Sequence, residues 1–147
     1  TNIQNRGTNC LAVGNNIVIP ASCTNLIVFG SNITADENST GLLLNYKSYV
    51  ALISQTGTAA PTVTILENTI GDIVWTRFAL GDYRGTLTGA FPSGKVICLS
   101  NQIDMLTMTL IQRKNNDVIS INTGTPATTT IADGILSNTS IEIRVYN

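Results

Sequence analysis

The chain of 147 residues has the length of one ordinary domain, and 43% of its residues are hydrophobic. Only 12% are charged, about half the usual share, and the net charge is −1 with eight scattered basic residues, which argues against nucleic-acid binding. Histidine is absent, which removes the commonest general base, and no apolar run approaches the roughly 18–20 residues of a membrane span.

The first 45 residues carry short apolar segments between polar turns. Residues 1–9 lack apolar periodicity and predict an extended arm, and the turn Gly14-Asn15-Asn16 predicts a hairpin between two of the segments. One segment is apolar on both faces, which predicts either a central strand or a subunit contact. Its residues are Leu26, Ile27, Val28 and Phe29.

A polar loop over residues 30–41 gives the best internal boundary. We therefore predict an attachment or oligomerisation segment over residues 1–45 and a β-sandwich domain over residues 46–147. Because the chain has few charges, electrostatic repulsion between copies is weak, and we expect subunits to cover much of the surface.

From residue 46 onward, apolar and polar residues alternate with a period of two, which is typical of half-buried strands. Gly, Asn and Pro separate these segments at intervals of 8–12 residues, and a short helical turn is allowed only at 131–136. The pattern predicts an all-β fold of about ten to eleven strands, arranged as an antiparallel β-sandwich or jelly roll.

The hairpin within residues 73–91 holds the sole Trp and turns at Leu80-Gly81-Asp82. A three-residue loop would place Trp75 opposite Leu87 in the core, whereas a two-residue loop would pair it with Thr88 on the outer face. We favour a buried Trp75, since a lone large aromatic side chain usually belongs to the core. The alternative is a ligand or glycan contact formed by Trp75, Arg77 and Arg84.

Catalytic and metal-binding patterns are weak. A carboxylate pair for glycoside hydrolysis would have to come from acidic residues at strand ends and in turns. At such positions, hydrogen bonding of the side chain to the nearby backbone explains an acidic residue better than catalysis does. We therefore predict no enzyme activity, no cofactor and no metal site. The carboxylate candidates are Glu67, Asp72, Asp82 and Asp104; the calcium candidates are Asp36, Glu37 and Asn38.

Three cysteines, Cys10, Cys23 and Cys98, are too few and too widely spaced for a zinc site. A Cys10–Cys23 disulfide and three buried free thiols are both compatible with the spacing. We favour the thiols, because free cysteine is among the most buried residue types.

Four segments of residues 46–147 carry a family resemblance: YKSYVALISQTGT, LENTIG, YRGTLTGAF and the terminal IEIRVY. This part of the chain resembles a domain in structural proteins of tailed phages that infect Bacteroidetes, such as decoration proteins, head fibres and tail fibres. The resemblance implies no catalytic residues. It implies a virion structural protein at the particle surface, or alternatively a tail-fibre module that binds a receptor or host surface glycans. The expected partners are further copies of the chain, with a trimer favoured, and other virion proteins such as the major capsid protein.

Overall fold

The computed structural model describes residues 2–36, 41–43, 46–101, 107–125 and 130–146, and for 41–43 the backbone only. Every regular element in these ranges is a β-strand, so the predicted all-β class is confirmed. The backbone contacts divide the chain into two compact units, Thr1–Tyr46 and Lys47–Tyr146.

The first unit is a parallel sheet in which every strand lies beside the next strand of the chain. Its order is β1 (Ile3–Asn5), β2 (Leu11–Ile19), β3 (Leu26–Thr34) and β4 (Gly41–Leu43). All three pairings are parallel. Because the links over residues 6–10 and 20–25 join consecutive parallel strands without a helix, the backbone winds as a coil, and we call this unit the solenoid.

A sequence repeat underlies this coil. In the pairing of β2 with β3, Leu11 lies opposite Ile27 and Ile17 opposite Ile33, an offset of 16 residues. The segments TNCLAVGNNIV (8–18) and TNLIVFGSNIT (24–34) match at the same offset, with Thr, Asn, Gly, Asn and Ile in common. Residues that are equivalent in the repeat therefore stack on each other in successive turns of the coil.

The predicted hairpin at residues 14–16 and the predicted N-terminal arm were both wrong. Gly14, with a φ of 145°, and Asn16, with a φ of 55°, lie inside the continuous strand β2, which pairs in parallel with β3 on both sides of them. The arm residues belong to the sheet, because β1 pairs with β2 and Thr8 forms a parallel bridge with Thr24.

Stacked asparagines mark two corners of the coil. The Asn16 side-chain amide donates to Oδ1 of Asn32 at 2.9 Å, and that of Asn9 reaches Oδ1 of Asn25 at 3.5 Å. All four residues have φ between 53° and 58°, the left-handed region that asparagine tolerates better than most residues. Each repeated Asn therefore adopts the left-handed conformation of the corner, and its side chain contacts the equivalent Asn of the neighbouring turn.

The inward side chains of the solenoid form an apolar interior. Leu26 and Val28 are 1% and 0% exposed, so these two members of the predicted subunit contact lie inside the solenoid and cannot touch another subunit. Ile27 and Phe29 alternate with them and point outward. The interior consists of Ile17, Ile19, Cys23, Leu26, Val28, Ile33 and Ala35, with Cys10 and Ala12 packed against it.

Glycine is required where successive turns of the solenoid approach most closely. A Cβ atom on Gly14 would lie 1.6 Å from the carbonyl oxygen of Gly30. That oxygen belongs to the backbone, so it cannot move aside as the end of a flexible side chain could. Gly14 also has a φ that other residues rarely adopt. At the spacing of the two paired strands, only glycine fits at this position.

We expect Gly14→Ala to disrupt the solenoid, because the added methyl group overlaps the backbone of the next turn. Hydrogen exchange of peptides from residues 2–36 should accelerate at least about 100-fold, which corresponds to roughly 3 kcal/mol of lost protection. Asn15→Ala is the matched control, since Asn15 is exposed and pairs with Ser31 without crowding. Equal protection in both variants would contradict the close-approach argument.

The second unit contains two sheets built from antiparallel pairs. Its strands are β5 (Tyr46–Ser54), β6 (Thr62–Asn68), β7 (Val74–Ala79), β8 (Asp82–Thr86), β9 (Val96–Ser100), β10 (Met108–Arg113), β11 (Val118–Thr125), β12 (Thr130–Ile131) and β13 (Thr139–Tyr146).

The strand orders bring distant segments together. One sheet has the order β10-β11-β8-β7, with β12 added to β11, and the other has the order β6-β5-β13-β9. The helical turn allowed at 131–136 is not formed, because β12 occupies Ile131 and bends follow it.

Inward side chains of both sheets contribute to one apolar cluster. Its largest fully buried members include Tyr49 of β5 and Tyr83 of β8, so the two sheets share these contacts. The cluster comprises Tyr49, Ala51, Ile53, Trp75, Tyr83, Phe91, Ile111, Ile119, Ile121, Leu136, Ile141, Ile143 and Val145.

Candidate functional site

The hairpin of β7 and β8 decides the position of Trp75. Trp75 lies opposite Gly85 and Arg77 lies opposite Tyr83, with a bulge between Arg77 and Ala79. Neither predicted register was right: the turn has only two residues, Leu80 and Gly81, and the bulge at Phe78 adds one residue to β7, so together they move the partner of Trp75 by two residues, from Leu87 to Gly85. The shift nevertheless keeps Trp75 on the Tyr83 face.

The indole of Trp75 is buried, as favoured from the sequence. It is 8% exposed, its ring packs over Gly85, and its Nε1–H donates to the hydroxyl of Tyr49 at 3.2 Å. A Cβ on Gly85 would lie 3.0 Å from the ring, so this glycine provides the space that the indole occupies. Trp75 is therefore a core residue with a satisfied polar atom.

The three residues considered for ligand contact do not form one site. Trp75 and Arg77 lie on the side of the sheet that holds Tyr83, whereas Arg84 pairs with Thr76 on the opposite side. The guanidinium of Arg84 lies 3.2 Å from the ring centre of Phe78 and 3.1 Å from a carboxylate oxygen of Asp82. These contacts occupy Arg84 within its own hairpin.

The sole tryptophan allows a direct test of this arrangement. We expect the native emission maximum at a shorter wavelength than that of a water-exposed indole, with little quenching by acrylamide, and a shift to exposed values in denaturant. The control is the double variant Trp75→Phe/Phe78→Trp, because Phe78 is 61% exposed. An exposed-type spectrum in the native wild-type chain would contradict the burial.

A polar network around Asp133 joins three distant segments of the second unit. Arg77 donates to one carboxylate oxygen of Asp133 through Nε at 3.0 Å and through Nη2 at 2.8 Å. The other oxygen accepts the backbone N–H of Gly81 at 2.9 Å and lies 2.8 Å from the hydroxyl of Tyr83. The network therefore fixes the tip of the β7–β8 hairpin against the segment after β12.

Gln55 extends this network to the loop after β5. Its side-chain oxygen accepts the N–H of Gly134 at 2.7 Å and lies 2.9 Å from the Tyr83 hydroxyl, while its amide donates to the carbonyls of Gly57 and Ala59. The single proton of Tyr83 can serve only one of its two neighbouring acceptors at a time. Gln55 and Tyr83 are 3% and 0% exposed, so these bonds form away from water.

The pKa values in the network follow from these contacts. The hydrogen bonds from Arg77 lower the pKa of Asp133 from 3.8 to about 2, with a further contribution from the N–H of Gly81. Burial raises the pKa of Tyr83 to about 12, with the Asp133 carboxylate acting in the same direction. Both pKa shifts keep Asp133 charged and Tyr83 neutral near neutral pH. Groups that do not titrate near neutral pH suit structural hydrogen bonding better than proton transfer.

We expect Asp133→Asn to lower the melting temperature at pH 7 by several degrees, because the ion pair with Arg77 and its charged hydrogen bonds are lost. The lowered pKa stabilises the fold above about pH 4, and this contribution disappears as the pH falls toward 2. The difference between wild type and variant should therefore shrink over that interval. Asp72→Asn, at an exposed carboxylate, is the control, and a difference independent of pH would contradict the assignment.

No pattern in the sequence selects Asp133 as a functional residue. The dipeptide Asp133-Gly134 reads only as a turn, and the partners Arg77 and Tyr83 lie at least 50 residues earlier in the chain. Only the pairing of β8 with β11 and of β11 with β12 brings these segments together.

The carboxylate candidates do not assemble into a catalytic pair. Glu67 accepts the hydroxyl of Ser48 within one sheet, and Asp82 pairs with Arg84 in the other. Asp72 is exposed, and Asp104 lies outside the described residues, as do the calcium candidates Glu37 and Asn38.

The described part of the chain contains no group of three or more Cys, Asp or Glu side chains that could hold a metal ion. Its cysteines are free, with Cys23 buried and Cys10 and Cys98 partly buried, so only one of the three is a fully buried thiol. No helix within the described ranges is long and apolar enough to cross a membrane.

Exposed apolar side chains are the remaining feature with a possible role in binding. On the solenoid, Leu11 lies beside Ile27 and Val13 beside Phe29, and each is between 42% and 51% exposed. We call these four residues the outer apolar face. Adjacent turns of the coil supply them in register, so they form two short apolar rows on one surface.

Comparisons of the chain with protein-family models, with curated proteins and with solved structures find no match.

Proposed function

We propose that this chain is a non-enzymatic structural protein of a tailed-phage virion, of the capsid-decoration or head-fibre type, exposed at the particle surface. The solenoid is the attachment or oligomerisation segment, and the second unit is the displayed domain. Its partners are further copies of the chain, with a trimer favoured, and other virion proteins such as the major capsid protein. The observation that carries the proposal is the outer apolar face of the solenoid.

That face supports an assembly role because apolar side chains of this size are favourable to bury. Leu11 and Phe29 are 51% and 45% exposed, so covering the remaining half of each is worth roughly half of the 1.5–3 kcal/mol that full burial of such a side chain contributes. Contiguous exposed apolar residues on a small protein often mark an interaction surface. Low overall charge acts in the same direction, because it provides little repulsion between copies.

The second unit supports display rather than catalysis. Its polar residues Arg77, Asp133 and Tyr83 form hydrogen bonds with each other. We further propose that its two sheets are the layers of a β-sandwich of the jelly-roll type, which the shared apolar cluster favours. A rigid two-layer domain suits a position on a particle surface.

A tail-fibre module that binds a receptor or host glycans is the alternative from the sequence. Its motivation was an aromatic platform at Trp75, and that ring is buried. Phe78 is exposed but already stacks with Arg84. No other contact in the described residues favours this alternative over the assembly role.

The proposal is tested by adding the full purified chain to phage particles produced without its gene. We expect the chain to co-sediment with the particles and to appear in electron micrographs as extra density at symmetry-related surface positions. Gly14→Ala should bind at least about tenfold more weakly, a loss of about 1.4 kcal/mol, because it disrupts the solenoid. Asn15→Ala should bind like wild type.

Two results would overturn the proposal. One is a folded wild-type chain that does not bind the particles, and the other is density deep inside the shell. Glycan-array binding that survives Gly14→Ala would favour the receptor-binding alternative instead.

A further inference from the structure

Each end of the described solenoid consists of half a turn. At one end, β1 pairs with residues 17–19 of β2, and no other strand of the described residues lies beside residues 11–16 on that side. At the other end, β4 pairs with residues 26–28 of β3, and no described strand lies beside residues 29–34 there. The strand β1 therefore covers the second half of a turn, and β4 covers the first half.

These two half turns occupy different positions of the repeat. Ile3 lies opposite Ile17, which lies opposite Ile33 in the next turn. Leu42 lies opposite Ile27, which is the repeat equivalent of Leu11. In a shared turn, β4 would fill the position of the first half of β2 and β1 that of the second half, so the two strands would not overlap.

We propose that solenoids of this chain bind head to tail, so that β4 of one copy and β1 of the next copy form one turn of a continuous coil. In this contact, Ile33 of the first copy lies beside Ile3 of the second, and Leu42 lies beside Leu11 of the second. All strands remain parallel, as they are within each copy. The inference goes beyond the proposed function, since it concerns the ends of the solenoid and not its outer apolar face.

The backbone groups of β1 fit this contact. The N–H of Ile17 donates to the carbonyl of Asn2, and the N–H of Arg6 donates to the carbonyl of Ile19, both at 3.0 Å. Because successive residues of a strand direct their backbone groups to opposite sides, Ile3 directs its N–H and carbonyl away from β2. These two groups form part of the open edge at the first end of the solenoid.

The backbone groups of β3 provide the matching edge. The N–H of Ala35 donates to the carbonyl of Val18 at 2.9 Å, so Thr34 directs its backbone groups away from β2. In the proposed register, the N–H of Thr34 donates to the carbonyl of Ile3 in the next copy. This bond repeats the pattern that joins the turns within one copy.

Charge selects a second copy in this orientation. Residues 2–36 and 41–43 of the solenoid contain two charged side chains, Arg6 and Asp36, and both are exposed. Arg6 follows Ile3 by three residues and Asp36 follows Ile33 by three, so the proposed register places them side by side across the contact. Opposite charges therefore meet in a head-to-tail contact, whereas two identical ends would bring like charges together.

The asparagine ladder also continues across the contact. An Asn-Ile pair occurs at the same position of three turns, at Asn2, Asn16 and Asn32. Within one copy, the amide of Asn16 donates to Asn32 at 2.9 Å. In the proposed stack, Asn32 lies beside Asn2 of the next copy, which extends the row of stacked amides.

A head-to-tail contact joins two different surfaces, so it repeats as an open stack along the axis of the coil. It leaves the outer apolar face uncovered, and the lateral contacts of the proposed trimer therefore use a different surface. The strands β1 and β4 contribute only three residues each. We therefore expect weak association, with a dissociation constant in the micromolar range or weaker.

The test measures the mass of the full chain by sedimentation velocity from about 1 to 300 µM. We expect the mass of the wild type to rise with concentration. Ile3→Pro and Thr34→Pro each remove an N–H that faces the open side, so each should raise the dissociation constant at least about tenfold. The matched controls Ile3→Ala and Thr34→Ala keep these N–H groups and should associate like wild type. Hydrogen exchange of residues 8–30 should match wild type in all four variants.

Mixing the two proline variants tests whether the contact joins different ends. Ile3→Pro retains the edge at Thr34, and Thr34→Pro retains the edge at Ile3. Each variant alone should remain monomeric, and an equal mixture should form a pair of one copy each that does not grow further. A contact between identical ends cannot give this result.

A charge exchange tests the register. Arg6→Asp places like charges at the contact and should weaken association severalfold, whereas the double variant Arg6→Asp/Asp36→Arg should restore it. These side chains are exposed, so the fold does not depend on the substitutions. This pair of variants decides the matter if a proline variant fails to fold.

Four results would overturn the inference: a monomer over the whole concentration range, folded proline variants that associate like wild type, a mixture of them that forms no pair, and a double charge variant no better than Arg6→Asp. A monomeric chain that still binds particles lacking its gene would reject the stack and leave the proposed function standing. A stacking chain that fails to bind such particles would reject the proposed function and support the stack.

Discussion

The contact between Gly14 and the carbonyl of Gly30 is the constraint on which the first unit depends. It allows two turns of backbone to approach without a side chain between them, and this spacing lets the asparagines stack. The same regular stacking aligns the inward residues into an apolar interior and the outward residues into two apolar rows. The proposed binding surface is thus a consequence of the repeat, since each apolar row contains equivalent residues of successive turns.

The second unit depends on a different kind of constraint. Asp133 connects the hairpin tip at Gly81 with Arg77 and Tyr83, and Gln55 joins the loop after β5 to the same group. Charges that are partly removed from water are costly unless paired and hydrogen-bonded, and here both carboxylate oxygens of Asp133 have partners. Such a network specifies one arrangement of three loops.

The two units together suggest a division of labour. The first has almost no charge and presents apolar side chains outward, whereas the second holds most of the ionisable groups and ties several of them in ion pairs. The proposed assembly role depends on the exposed apolar side chains of the first unit.

The sequence alone determined the β class, because alternation with a period of two follows from the geometry of a strand. It also contained the 16-residue repeat, in which Gly14-Asn15-Asn16 recurs as Gly30-Ser31-Asn32. Taken alone, the first of these turns predicts a hairpin. The parallel pairing of β2 with β3 on both sides of it shows instead a bend inside a coil. Only the tertiary structure decided the register of Trp75, because a bulge at Phe78 depends on packing across the sheet. Only the tertiary structure revealed the role of Asp133, because its partners Arg77 and Tyr83 are far away in the chain. An Asp-Gly dipeptide by itself does not indicate which residues will contact it.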